Sequence, residues 1–181
     1  MVSWSQIARR IRVPLGFAFA IVFSLLAQPT WGSIVAGAVI AVAGLAVRAL
    51  ASGHVQKNEQ LTTSGPYAYL RNPLYFGSLV LAAGCAVAAR SCWIVLGMAV
   101  MFVTVYWPVI RAEEGFLRER FPEFDDYARH VPRLLPRLTA FGEARVSFSR
   151  DLYLKHREYN ALIGAVAMLA VLAAKLLWHS R

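Results

Sequence analysis

From Val13 to Val47 the chain carries no charged residue, a run of 35 positions. A helix rises about 1.5 Å per residue and bilayer hydrocarbon is about 30 Å thick, so the run is too long for one crossing. Gln28-Pro29-Thr30-Trp31-Gly32 stands in its middle, with turn residues and an interfacial aromatic. Helices are therefore expected near 13–28 and 33–51, the second rich in the Gly and Ala that permit close helix approach. Residues 72–89 and 91–110 are also uncharged and are separated only by Arg90. A last apolar run, 161–178, holds Lys175 near its end, where a lysine can snorkel to the interface. The fold expected is all-α: a polytopic membrane protein with about five transmembrane helices and a small cytosolic helical cap.

Composition agrees with that reading. The chain is 58% hydrophobic and only 16% charged, more apolar than a soluble domain of 181 residues requires. The net charge of +9 does not point to nucleic acid, because the basic residues flank the uncharged runs and match an anionic leaflet. Cys85 and Cys92 lack any ligand or redox spacing, so no metal site is expected. Arg9, Arg10 and Arg12 precede the first run without a following cleavage signal, which reads as a retained first helix. With the N-terminus in the cytosol, sixteen of the nineteen basic residues lie inside, and all ten acidic residues, Glu59 to Glu158, share that side. The expectation is one membrane domain over 1–181, its core at 40–137 and an extra C-terminal helix at about 160–178. Its expected location is the cell inner membrane, with membrane lipids as its surroundings.

Three polar stretches can carry chemistry. In the first, Ser64-Gly65-Pro66 is turn chemistry, and Asn72 can cap a helix with Pro73 at its first position. Tyr67, Tyr69 and Tyr75 crowd that helix entry beside Arg71. In the second, an apolar span runs directly into a charged amphipathic helix. There Arg111, Glu114 and Arg118 share one face, while Ile110, Leu117 and Phe121 form an apolar stripe. Its plain interpretation is an intrahelical salt-bridged face. Charges this near a membrane span also point into polar cavities. The third, Tyr153 to Tyr159, reads as a basic collar whose His156 and Arg157 can meet an anionic headgroup. His54 adjoins the first stretch and is either a plain interfacial residue or a functional imidazole.

Thr63-Ser64-Gly65-Pro66-Tyr67, then Arg71-Asn72-Pro73-Leu74-Tyr75-Phe76-Gly77, then Glu113-Glu114, Leu117, Phe121, Tyr127, Val131-Pro132 and Pro136 follow in order. Together with His54-Val55-Gln56 and Asn58-Glu59, this series resembles the isoprenylcysteine carboxyl methyltransferase and phospholipid methyltransferase superfamily over roughly residues 40–137. Where that family commonly has Arg-His-Pro, this chain has Arg71-Asn72-Pro73. Asparagine keeps hydrogen-bonding capacity but no imidazole chemistry.

The resemblance implies S-adenosylmethionine, held between the last core helices and the cap, and a lipophilic or lipidated acceptor. Glu113 or Glu114 then pairs with the donor's ammonium. Its carboxylate falls to Arg71, Tyr75 or the N–H groups after Pro73, at the turn built by Gly65, Pro66 and Asn72. Tyr67, Leu70, Val131 and Leu134 wall the adenine. Methyl transfer to a carboxylate needs only a cation to orient it, assigned to Arg111; an amine or thiol acceptor needs a base, Glu114 or His54. Carboxyl methylation of a prenylated cysteine is the leading expectation, with a phospholipid amine or a thiol as alternatives. An NADPH-dependent sterol-reductase-like protein and a non-enzymatic membrane protein are the competing classes.

Overall fold

The structure is a computed structural model and describes residues 4–56, 60–142 and 147–179. Among these residues it is helical, with no strand: α1 (Trp4–Leu26), α2 (Trp31–Ser52), α3 (Pro73–Ala89), α4 (Cys92–Met101), α5 (Trp107–Arg120), α6 (Phe124–His130), α7 (Arg150–Lys155) and α8 (Tyr159–His179). A 3-10 turn occupies Gly65–Ala68, and a π-helical segment, Phe102–Tyr106, joins α4 to α5. Three helical stretches are long and apolar enough to cross a bilayer: Trp31–Ser52, Cys92–Arg120 and Tyr159–Trp178. Pro14–Leu26 and Pro73–Ala89 are apolar but shorter, 13 and 17 residues, or about 20 and 25 Å of rise. The protein is thus a helical integral membrane protein, with three helices of full spanning length and two short apolar ones among the described residues.

The helix starts follow local chemistry. Pro73 opens α3, where its missing N–H costs nothing. Thr30 and Ser33 bond each other's backbone reciprocally around the start of α2. The first helix starts earlier than expected, at Trp4, and so takes in the N-terminal arginines.

The chain divides into two compact units, and the division falls inside α2, α3, α5 and α8. One comprises Met1–Ala41, Ala82–Glu114 and Gly164–Arg181. Here α1 packs on α4 and the π-segment, and Gly97 lies against the Phe19 ring. A β-carbon on Gly84 would stand 2.6 Å from Gly37 O and Ala41 N, so α2 and α3 touch backbone to backbone. Lys175, expected to snorkel, donates from Nζ to Ser24 O, Leu25 O and Ala27 O at 2.8–2.9 Å. It caps the carbonyls left open at the end of α1.

The π-segment has a local cause. Pro108 has no N–H, and its ring collides with the carbonyl four residues back, that of Thr104. The helix widens by one residue, so Trp107 N–H bonds Phe102 O, and the Thr104 carbonyl accepts from Trp4 Nε1 at 2.9 Å.

The other unit comprises Val42–Leu81 and Gly115–Ile163. Phe124, Tyr127 and Val131 form its buried cluster, covered by Leu61, Leu117, Phe121, Ala128 and Phe141. Arg48 on α2 donates two bonds to Glu158, at 2.9 and 2.7 Å, and others to Ser78 Oγ and Leu74 O. α2 and α3 also meet at Gly44, whose absent β-carbon would stand 2.5 Å from Leu81 N.

Candidate functional site

Gly65 takes φ +57, a left-handed conformation that suits glycine. Its second requirement is steric: a β-carbon there would lie 2.5 Å from His54 Cδ2 and 2.7 Å from Nε2. The imidazole lies flush on the turn. His54 is buried, its Nδ1 is 2.7 Å from Leu50 O, and the Phe148 ring stands edge-on to it at 6.3 Å. Because a carbonyl only accepts, Nδ1 carries the proton. Two further groups finish the end of α2: Ser149 N–H donates to Gly53 O at 2.9 Å, and His156 Nδ1 to Ser52 O at 3.2 Å. His156, expected in a basic collar, therefore also serves as a helix cap.

After the 3-10 turn the chain is strapped to residues 127–141. Tyr127 OH donates to Tyr67 O at 2.7 Å, and Arg71 N–H to Pro132 O at 2.9 Å. Asn72 Nδ2 donates to Arg133 O at 3.2 Å. In return, Arg137 N–H and Phe141 N–H donate to Tyr69 O and Ala68 O, each at 3.0 Å. These bonds join positions about sixty residues apart, and they place Gly65, Pro66, Tyr67, Leu70, Arg71, Asn72 and Pro73 on one support. Tyr67, Leu70 and Pro73 are buried; Arg71 and Tyr75 are half-buried. Val131 is fully buried within the Phe124–Tyr127 cluster, where it seats the strap, while Leu134 keeps part of its surface exposed. The pair Asn58-Glu59 lies outside the described residues.

The remaining candidates belong to the first unit and lie on α5. Arg111 is exposed, Glu113 half-buried and Glu114 buried, beside buried Val109 and Ile110. The single face expected for Arg111 and Glu114 is therefore split, the guanidinium exposed and the carboxylate buried. Arg118, placed on the same face by spacing, pairs with Asp125 at 2.6 Å. Sequence reasoning missed Arg48 and Glu158, whose only signal was a charge at each end of an apolar helix, 110 positions apart.

Helices of this length and apolarity define a helical membrane-embedded protein. Residues 19–123 match the phospholipid methyltransferase family, and the chain belongs to it. Two relatives carry names drawn from metal tolerance. The nickel-cobalt-cadmium resistance protein NccN of Alcaligenes xylosoxydans xylosoxydans is 39% identical over 101 residues, 56% of this chain and 45% of that protein. The cobalt-zinc-cadmium resistance protein CzcN of Cupriavidus metallidurans is 41% identical over 90 residues, 49% of this chain and 42% of that protein. The match therefore spans less than half the length of either relative. No solved structure shows significant similarity.

Proposed function

We propose that the protein transfers the methyl group of S-adenosylmethionine to a lipophilic acceptor at the cytosolic face of the cell inner membrane. The observation that carries this reading is the strap: the family-matched turn from Gly65 to Pro73 is held by five hydrogen bonds and ends at a helix start. Arg71 and the N–H groups at the start of α3 are of the type suited to a carboxylate. Leu134 and Tyr67 offer the apolar and aromatic surface an adenine requires. On sequence grounds the donor's ammonium falls to Glu114 or Glu113. S-adenosylmethionine supplies an already activated methyl group, so the residues' tasks are alignment and exclusion of water.

The acceptor we propose is a carboxylate on a lipophilic or prenylated molecule, oriented by the exposed Arg111 guanidinium. Such an acceptor needs no base. A phospholipid amine is the second reading, in keeping with the phospholipid in the family's description, and gives Glu114 or His54 the proton. Incubating the membrane-reconstituted protein with methyl-labelled S-adenosylmethionine and native lipid extract tests both. A base-labile labelled ester supports the first; a labelled headgroup amine supports the second and removes the first. Arg111→Ala is expected to abolish turnover and leave donor binding intact. Loss of donor binding would move Arg111 into the cofactor site. The relatives' names suggest that the modification serves metal tolerance. Growth of a deletion strain on nickel, cobalt and cadmium tests that role separately.

A further inference from the structure

The strap has an outer side that the site does not use. Leu135 is 77% exposed and Leu138 98% exposed, although both lie in a segment fixed by backbone hydrogen bonds. Between Tyr127 and Gly142 there is no acidic residue, and the leucines alternate with Arg133 and Arg137. Arg137 folds back on the segment, donating to His130 O and Thr139 Oγ1 at 2.8 Å each, which fixes its charge beside Leu138. Depth is set by what the segment is bonded to. Its partners are Ala68, Tyr69, Arg71 and Asn72, the last residues before α3 begins at Pro73. The strap is therefore bonded to four of the five residues that immediately precede an apolar helix.

We infer that residues 131–141 form an interfacial membrane anchor, with Leu135 and Leu138 dipping into the boundary between headgroups and acyl chains and Arg133 and Arg137 at the phosphates of anionic lipids. Water leaves two large side chains uncovered; the lipid boundary covers them and meets the flanking cations at once. Exposed Phe148 and Leu154 give an internal parallel. They flank a segment that is tied to the end of α2 through Ser149 and Gly53 and that carries Arg150 and Lys155. The anchor rests on the helices being membrane-embedded and is independent of the methyl-transfer reading.

The test uses the full chain with Cys85→Ala and Cys92→Ser, a spin label at Leu138→Cys, and nanodiscs of phosphatidylcholine with or without phosphatidylglycerol. Power saturation with oxygen and a water-soluble nickel chelate reads depth. The expected result is an oxygen-to-nickel accessibility ratio severalfold above that of a label at exposed Glu123, rising further with phosphatidylglycerol. In Arg133→Gln/Arg137→Gln that rise is expected to disappear while the basal ratio stays high. A label at 138 as open to nickel as the one at 123 would overturn the anchor. So would shielding from both reagents, which would mean that protein covers the strap. An anionic-lipid rise that survives in the double glutamine variant would overturn the assignment of the two arginines.

Discussion

Where α2 meets α3 in the first unit, Gly84 lies against the backbone of Gly37 and Ala41, and nothing larger than a hydrogen separates the helices. In the second unit the same two helices meet at Gly44 and are also joined by Arg48, which reaches Leu74, Ser78 and Glu158. The first contact adds one neutral bond, Ser33 Oγ donating to Ala88 O at 2.9 Å, whereas the second adds a charged side chain. Lipid tails are as apolar as leucine, so helices in a bilayer associate by close packing and hydrogen bonds rather than by burial from water. The first unit relies on close packing and on bonds to backbone carbonyls, from Ser33 to Ala88 and from Lys175 and Trp4 to those that α1 and Pro108 leave open. The second, which holds the candidate turn, is assembled from specific long-range bonds.

The largest expected effect is therefore at Arg48. Its side chain is 21% exposed and that of Glu158 12%. Removing one partner strands a charge in a poorly solvated place and should cost about 3 kcal/mol, toward the low end for buried pairs. Arg48→Met should thus lower the unfolding midpoint in detergent sharply, and Arg48→Met/Glu158→Met should recover much of the loss. A double variant as unstable as the single would show that the ion pair itself, rather than the stranded carboxylate, is what matters. Next comes Gly84→Leu in the first unit, whose side chain must displace backbone atoms; overpacking of this kind costs about 1–3 kcal/mol. If the same measurement showed no loss, the steric account of that unit would fail.

Tyr127→Phe removes the bond to Tyr67 O and should cost about 1 kcal/mol. Amide exchange at 67–72 should rise with it. The smallest effect belongs to Arg118 and Asp125, both more than half exposed; breaking that pair should change stability by about 0.5 kcal/mol or less.

What the sequence made legible follows the same division. Helix positions were readable from charge-free runs, the start of α3 from Asn72-Pro73, and close approach from glycine and alanine, because these signals are local. The continuity from α4 into the charged helix was readable too. The π-segment was not, since Pro108 sits in an apolar run and its effect falls on residues 102–106, before the proline itself. The capping role of Lys175 was not legible because the α1 carbonyls it bonds lie about 150 positions away. The Arg48–Glu158 pair was hidden for the same reason. At the candidate site the motif residues could be identified one by one, but neither the strap nor the burial of His54 under Gly65 and Phe148 has a local signature.

Calorimetric titration of the detergent-purified protein with S-adenosylmethionine, run beside a Glu114→Gln variant of unchanged unfolding midpoint, tests the account most directly. It predicts saturable binding at one site per chain, and a loss of at least tenfold in affinity for the variant. Folded protein that takes up no donor, or a variant that binds it equally well, would contradict the proposal.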